Sequence, residues 1–474
     1  MSSPVPDFAD APWHDGSDQA LIQGAHIWSY TELREHVIER AARLRAQSVR
    51  PGQVVMAPDT PALDLILMLH ALAKIGAALL PYRAGLPAAE LHIVSAMTGA
   101  DWQWPPAPGR RTPTGFGADK PDYSDPSIAL LIKTSGSSGV PKVAMLTSAN
   151  LLVSAASANA QFGLTSGDIW LACLRLSHVG GVSIAHRCAL AGATLLLHDG
   201  FDAQAVSHDL RRWPVTHLSL VPPMLARLLD LDPTPPPRLR VLLVGGQALS
   251  RPLAQRALDA GWPLYLTYGM TETASHLATT ARLTGAAPEP GLVGRPLPGI
   301  QIDRRGSESA PVRLRFCGPV VMAGYANPQR MPGQGLNDGW FEAADLGYLT
   351  DEGELKLLGR ADDILVIGGN NVSRVRVEGI LQQVPGVKDL VVVGLPDPLW
   401  GHRLVAVYRG GINEASLEDW CRTRLAGPER PRVLLRLPQL PLLDSGKYDR
   451  LRIAALAAAL GDVRKKEAPS VGAI

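Results

Sequence analysis

Between residues 128 and 269 short apolar runs recur at intervals with amphipathic segments between them. The runs are IALLI (128–132), TLLLH (194–198), THLSLV (216–221), VLLVGG (241–246) and PLYLTYG (263–269). Runs this short and this uniformly apolar suit strands covered on both faces, which antiparallel sheets with one wet face do not need. The intervening segments are long enough for crossover helices. The pattern therefore predicts a large α/β domain with mostly parallel strands. Upstream, 30–49 has apolar positions at helical spacing with Thr31 as the N-cap, and 63–76 reads as a more buried helix. The stretch 101–127 is rich in Pro, Gly and Asp and reads as a long connection. DLDPTPPPRLR (230–240) reads as a stiff connector into a strand.

The pattern changes near residue 340. GYLTDEGELKLLGRADD (347–363) alternates around an Asp-Glu-Gly turn and reads as a hairpin. A helix (375–383), strands at 387–395 and 404–410, and a helix at 415–426 follow, enough for a small α+β domain. The boundary is placed at 359–363, dividing the chain into 1–359 and 360–474. The tail from Arg464 is polar and expected to be loose.

At 474 residues the chain exceeds one ordinary core, in agreement with that division. Its 46 basic and 44 acidic residues nearly cancel, which argues against a nucleic-acid binder while leaving room for a small anionic ligand. Cys173, Cys188, Cys317 and Cys421 are scattered and read as buried free thiols of a reducing compartment. The N-terminus has no signal-peptide pattern, and the most apolar stretch, 62–82, carries Asp64, His70 and Lys74. The expectation is a soluble cytoplasmic protein without a membrane span. The oligomeric state is not legible, and a homodimer is compatible with the sequence.

TSGSSGVPK (134–142) concentrates glycines, hydroxyls and one lysine. It fails the P-loop spacing, because no helix opens at Lys142, and it fails G-x-G-x-x-G as well. Glycines nevertheless allow backbone N–H groups to converge on an anion, the Ser and Thr hydroxyls add donors, and Lys142 supplies a charge. A phosphate loop, Thr134, Ser135, Gly136, Ser137, Ser138, Gly139 and Lys142, is the reading preferred over a flexible connector. Beyond strand ends lie two further candidates. Gly245 and Gly246 allow a flat ring to approach the backbone. Tyr268 and Gly269 lead into Thr271 and Glu272, which offer stacking, a phosphate contact and a metal ligand. A carboxylate beside a hydroxyl suits Mg2+ on a triphosphate; the alternative for Glu272 is a first-turn residue favouring a helix dipole.

Taken with GWFEAADLGYLTDEGELKLLGRADD (339–363) and LLDSGKYDR (442–450), TSGSSGVPK and YGMTETAS (268–275) resemble, in order, the signatures of the adenylate-forming superfamily. That superfamily includes acyl-CoA synthetases, luciferases and peptide-synthetase adenylation domains, and the resemblance spans nearly the whole chain. It implies ATP, Mg2+ and coenzyme A as reactants with a small carboxylic acid, and a mobile small domain. By resemblance Tyr268 stacks on adenine near Gly245 and Gly246, and Asp345 holds the ribose with help from Arg360. Thr271 and Glu272 hold phosphate and Mg2+, Asp362 is the hinge, Lys447 reaches the carboxylate and α-phosphate, and Gly368 and Gly369 admit the pantetheine arm. The acid adenylate relieves the carboxylate of its charge and supplies a leaving group, with Lys447 and Mg2+ as electrostatic stabilisers.

Within the family, LSHVGGVSI (176–184), SLVPPMLARLL (219–229), LLVGGQALS (242–250) and WGHRLVAVY (400–408) most resemble o-succinylbenzoate–CoA ligases of menaquinone biosynthesis. His178 then borders the acyl pocket, either as a catalytic group or as packing. The chain departs from the family pattern at Lys133, Arg175, Arg374 and Arg376. Arg175 either pairs with a second substrate carboxylate or faces solvent; Arg374 and Arg376 either contact coenzyme A phosphates or alter a helix face. Benzoate or fatty-acyl ligases, an enzyme loading a carrier protein and a nucleotide-binding relic are the alternatives. Lys142, Glu272, Asp345 and Lys447 together argue against the last.

Overall fold

The computed structural model describes residues 18–105, 127–134, 142–303, 305–327 and 330–467. Its frame is a pair of large sheets with helices between and around them. The strands Ile169–Ala172, Thr194–Leu197, His217–Leu220, Val241–Val244 and Leu264–Met270 form the parallel heart of one sheet. The first four of these are buried at every position, as strands covered on both faces must be. At one edge Leu264–Met270 turns antiparallel onto Ser275–Thr279.

The second sheet runs Gly324–Tyr325, Lys142–Thr147, Ile128–Thr134, Ala78–Tyr82, Val54–Pro58 and Trp102–Gln103. A single apolar core joins Leu79, Leu130 and Leu146 of this sheet to Trp170, Leu195 and Leu243 of the first. It fills through the helices Ala62–Ile75, Ser148–Phe162 and Val179–Ala191, whose apolar faces reach both sheets. The helices start where local chemistry directs. Thr147 caps Ser148–Phe162 with a reciprocal bond to Asn150. Tyr30–Ala46 is capped by Ser29 rather than Thr31: Ser29 accepts from Glu32 N–H, and the Glu32 carboxylate accepts from Ser29 N–H, satisfying two orphan donors at once.

Small strands follow, with Trp340–Leu349 paired antiparallel to both Val312–Cys317 and Leu355–Arg360. The residues from 365 onward assemble separate apolar cores, around Leu390 and Val392 on one side of a sheet and Val391 and Val393 on the other. That sheet pairs Val387–Asp397, Gly401–Gly410 and Val433–Arg436, covered by the helices Arg374–Leu381, Glu414–Arg424 and Arg450–Glu467. The last helix corrects the expectation of a loose tail from Arg464, since its backbone continues to Glu467. Residues 468–474 lie outside the described residues. The chain is thus mixed α/β with large, mostly parallel sheets and a smaller C-terminal unit. All four cysteines are free, three of them buried and Cys317 half-buried. No helix among the described residues is long and apolar enough to cross a membrane.

Candidate active site

The glycine-rich loop bridges two antiparallel strands, with Thr134 directly opposite Lys142. Thr134 and Lys142 are therefore held at its two mouths, while Ser135, Gly136, Ser137, Ser138 and Gly139 lie outside the described residues. Lys133, one residue before, is exposed on the strand. Nζ of Lys142 stands 4.8 Å from the ring centroid of Tyr325. The Tyr325 hydroxyl donates to Glu272 Oε1 at 2.8 Å. Tyr325 thereby links the loop lysine to the Thr271–Thr273 turn.

That turn is a single 3-10 turn after Leu264–Met270, not the start of an α-helix. The helix-dipole alternative for Glu272 is thus overturned, because one turn has too few aligned peptides to make a macrodipole. Thr271 and Glu272 are both half-buried, and Gly269 is pressed against the Ser275 backbone in the hairpin. Among the described residues no three His, Cys, Asp or Glu side chains gather into a metal cluster. A lone carboxylate beside a hydroxyl fits Mg2+, a hard cation that keeps waters and takes its other ligands from substrate phosphates.

Deeper along the same strand, Tyr268 donates its hydroxyl to Asp345 Oδ2 at 2.8 Å. Asp345 lies on Trp340–Leu349, directly opposite Arg360 in the hairpin, with Arg360 Nη1 at 3.9 Å from Asp345 Oδ1. Burial pushes the Asp345 carboxyl above its usual range, although the Tyr268 hydroxyl and Arg360 favour its charge. Burial, and next the Asp345 charge, push the Tyr268 phenol well up, so it remains a donor. Arg360 also grips Asp362 through Nε at 3.0 Å and Nη2 at 3.2 Å.

Lys447 arrives from the C-terminal unit on a tight turn, where Leu443 N–H donates to Lys447 O and Gly446 N–H to Leu443 O. The turn inserts beside Val221, Met224 and Gly246. A Cβ built on Gly246, whose φ is +76°, would sit 3.0 Å from Lys447 Cε and 3.4 Å from Nζ. Glycine at 246 therefore serves both the backbone bend and the space for the lysine. Gly245 is equally confined, against Thr267. Burial, and then the Arg360 charge, lower the Lys447 pKa, with Asp345 opposing.

His178 caps Val179–Ala191 without a side-chain capping bond. Its surface is open to solvent, yet protein encloses the ring on most sides, as for a residue lining a cleft. Enclosure first, and the Lys447 charge second, bring its pKa down to about 4. The ring is neutral at neutral pH and supplies no cation.

Arg175 is half-buried and pairs with Asp59 at 3.5 Å, which corrects the solvent-facing alternative for it. Asp59 is 2% exposed and also accepts from Ser177 Oγ at 2.7 Å and Ala84 N–H at 2.9 Å. A buried carboxylate is costly alone, so it captures the nearest guanidinium. Arg374 is paired with Asp363, and Arg376 with Glu429 at 2.8 Å, so each is engaged within its own unit. Gly368 and Gly369 form the turn between Ile364–Ile367 and Asn370–Ser373. Gly368 packs on the Trp400 ring and Gly369 faces open space.

Asp59, Arg187 and Tyr325 were not singled out from the sequence. Arg187 had a legible signal, a lone arginine inside the apolar helix VGGVSIAHRCALA. It is 1% exposed, and its Nη2 donates to Ser275 Oγ at 3.1 Å. The guanidinium lies 5.3 Å from the Trp170 ring centroid. No carboxylate among the described residues pairs with it, and burial brings its pKa down to about 10.

Family models match both parts of the chain. The model described as "AMP-binding enzyme" matches residues 9–103 and 99–326, and "AMP-binding enzyme C-terminal domain" matches 376–447. A 2-succinylbenzoate–CoA ligase of Bacillus cereus is 31% identical over 453 residues, covering 90% of this chain and 93% of the relative. The o-succinylbenzoate CoA synthetase of Bacillus subtilis, solved with the acyl-adenylate intermediate OSB-AMP, superposes with a TM-score of 0.80. It is 27% identical and covers 94% of this chain and 98% of its own. The same enzyme was also solved with ATP and a magnesium ion, at a TM-score of 0.78, 28% identity and coverage of 92% and 96%. ATP-bound MatB from Rhodopseudomonas palustris shares the fold at a TM-score of 0.81 and 22% identity, covering 94% of this chain and 97% of its own. Matched along both its units, the chain belongs to the AMP-binding, adenylate-forming enzyme family and is an acid–thiol ligase of the AMP-forming acyl-CoA synthetase type.

Proposed function

We propose that the acid is o-succinylbenzoate, activated by ATP as its acyl adenylate and passed to coenzyme A, as menaquinone biosynthesis requires. The observation that carries this reading is Arg187. A guanidinium removed from water without a carboxylate partner is costly, and the Trp170 face offsets only part of that cost. A substrate carboxylate that completes the pair recovers it. Arg187 and Ser183 lie one turn apart on Val179–Ala191 and share Ser275 as partner. His178 opens the same helix near Lys447. An acid with a reacting carboxylate at the Lys447 end and a second at Arg187 uses both cations.

In this reading Tyr268 offers its ring to adenine beside Gly245 and Gly246, and Asp345 with Arg360 accepts the ribose hydroxyls. Thr134, the hydroxyls and glycines of 135–139, Lys142 and Thr271 bind phosphate, and Glu272 holds Mg2+. Bound there, Mg2+ supplies positive charge to the triphosphate. Lys447 donates hydrogen bonds toward the attacking carboxylate and the α-phosphate, where negative charge develops. The neutral His178 ring walls the acyl pocket.

For the thiol step the unit from residue 360 onward rotates about Asp362, withdrawing Lys447 and bringing Gly368 and Gly369 to the pantetheine arm. Release of AMP and pyrophosphate is measured with and without coenzyme A on o-succinylbenzoate, benzoates, medium-chain fatty acids and amino acids. Coenzyme A-dependent turnover confined to o-succinylbenzoate is expected. Turnover on a monocarboxylic acid with none on o-succinylbenzoate sinks the assignment of the acid.

A further inference from the structure

We infer that Tyr325 is a positioning residue that couples the lysine of the glycine-rich loop to the carboxylate meant for the metal. This rests on the reading of Glu272 as the Mg2+ ligand. A single half-buried carboxylate has free rotamers and several lone pairs, so one carboxylate by itself defines a metal position poorly. The Tyr325 hydroxyl donates to Oε1 at 2.8 Å, which restricts the carboxylate plane and leaves the other oxygen for a metal. The same ring lies under Lys142 Nζ at 4.8 Å, where the π face attracts the ammonium without neutralising it.

The surroundings hold the ring rigidly. Tyr325 is 8% exposed and pairs with Ala144 on the strand that leaves the loop. The strap around it is bonded to Glu272 and to the residue after Lys142: Met322 N–H donates to Glu272 O at 2.8 Å, and Ala326 N–H donates to Val143 O at 2.7 Å. Gly335, at φ +84°, lies against the ring so closely that a Cβ would come within 2.4 Å of Tyr325 Cδ2. Three segments distant in sequence thus meet at one aromatic ring, which contacts both charged groups.

The test uses the full chain and the non-cleavable analogue AMPCPP, whose binding is measured calorimetrically with Mg2+ and with EDTA. Tyr325→Phe keeps the ring and deletes the hydroxyl. Its affinity in Mg2+ is expected to fall about tenfold while binding in EDTA is unchanged, since the loss of one bond to a charged group acts through Glu272. Tyr325→Leu, which also removes the face beneath Lys142, is expected to weaken binding in both conditions. In Glu272→Gln the Phe substitution should add nothing further, because the two act as one unit. Wild-type affinity for Tyr325→Phe in Mg2+, or full additivity with Glu272→Gln, overturns the inference. A wild-type protein that binds AMPCPP no better with Mg2+ than with EDTA overturns instead the reading of Glu272 on which it rests.

Discussion

The two sides of the site are held by different kinds of force. On the large-domain side the polar groups are held by buried or half-buried side chains: Tyr268 on Asp345, Tyr325 on Glu272, and Asp59 on Arg175, Ser177 and Ala84. These contacts have little water to compete with them and move only if the core moves. The Lys447 turn comes from a unit with its own apolar cores, and the ion pairs bridging it to the large domain are half-exposed or half-buried. Asp444 meets Arg83 at 2.8 Å with both side chains about half exposed, and Arg409 meets Asp230 at 3.7 Å. Pairs of that kind contribute on the order of 0–1 kcal/mol. What must stay still is held by buried polar pairs, and what the proposed cycle must release is held by partly exposed ion pairs and by the packing of the Lys447 turn on Val221 and Met224.

The largest expected effect breaks the comparison at its charged tip. Lys447→Ala should lower adenylate formation, read as acid-dependent ATP–pyrophosphate exchange, by roughly 100–1,000-fold. Thiolysis of a supplied acyl adenylate should stay within a few fold. Equal loss of both half-reactions would show that Lys447 serves more than the first step.

Arg187→Met tests the buried side. It should cut kcat/KM for o-succinylbenzoate by roughly 10–100-fold, the worth of a charge-assisted contact, while monocarboxylic benzoates change little. Because an unpaired buried charge is removed, the ligand-free protein should melt higher in thermal denaturation, and a lower Tm would contradict the account of Arg187 as uncompensated.

Asp345→Asn sharpens the same point through pH. The folded carboxyl titrates above its unfolded value, so the unfolded chain loses its proton first and the native state loses stability as pH rises through that interval. The variant should therefore gain Tm at neutral pH, with the gain vanishing in acid below the unfolded carboxylate range. Its ATP affinity should fall about tenfold by calorimetry. The smallest effect is at the exposed pair. Arg83→Ala should slow adenylation only about two- to five-fold, less at high salt, and leave thiolysis unchanged.

Much of the fold was legible because strand burial writes itself locally: TLLL and VLLV need no tertiary knowledge to be recognised as doubly covered strands. The strands Val54–Pro58 and Ala78–Tyr82 were passed over, since each ends in or carries a proline and adjoins a long apolar helix that dominates the pattern. Ser29 was legible through its Glu32 partner and was passed over in favour of a neighbouring hydroxyl.

The order and spacing of TSGSSGVPK, YGMTETAS, the Asp345 hairpin and LLDSGKYDR by themselves determined the family, and with it the type of reaction. Such motifs are contiguous, and the chemistry restricts residue types within a few positions of one another. The partners of the charges were decided only by tertiary structure. Arg175 turned to Asp59, 116 positions earlier by residue number, and Arg374 and Arg376 to carboxylates of their own unit. Arg187 was enclosed with an aromatic ring and no acid among the described residues, and Tyr325 was laid between a lysine and a glutamate that no local pattern connects. A charge takes the counterion that folding brings nearest in a poorly screened interior, and chain distance carries almost no information about which one that will be.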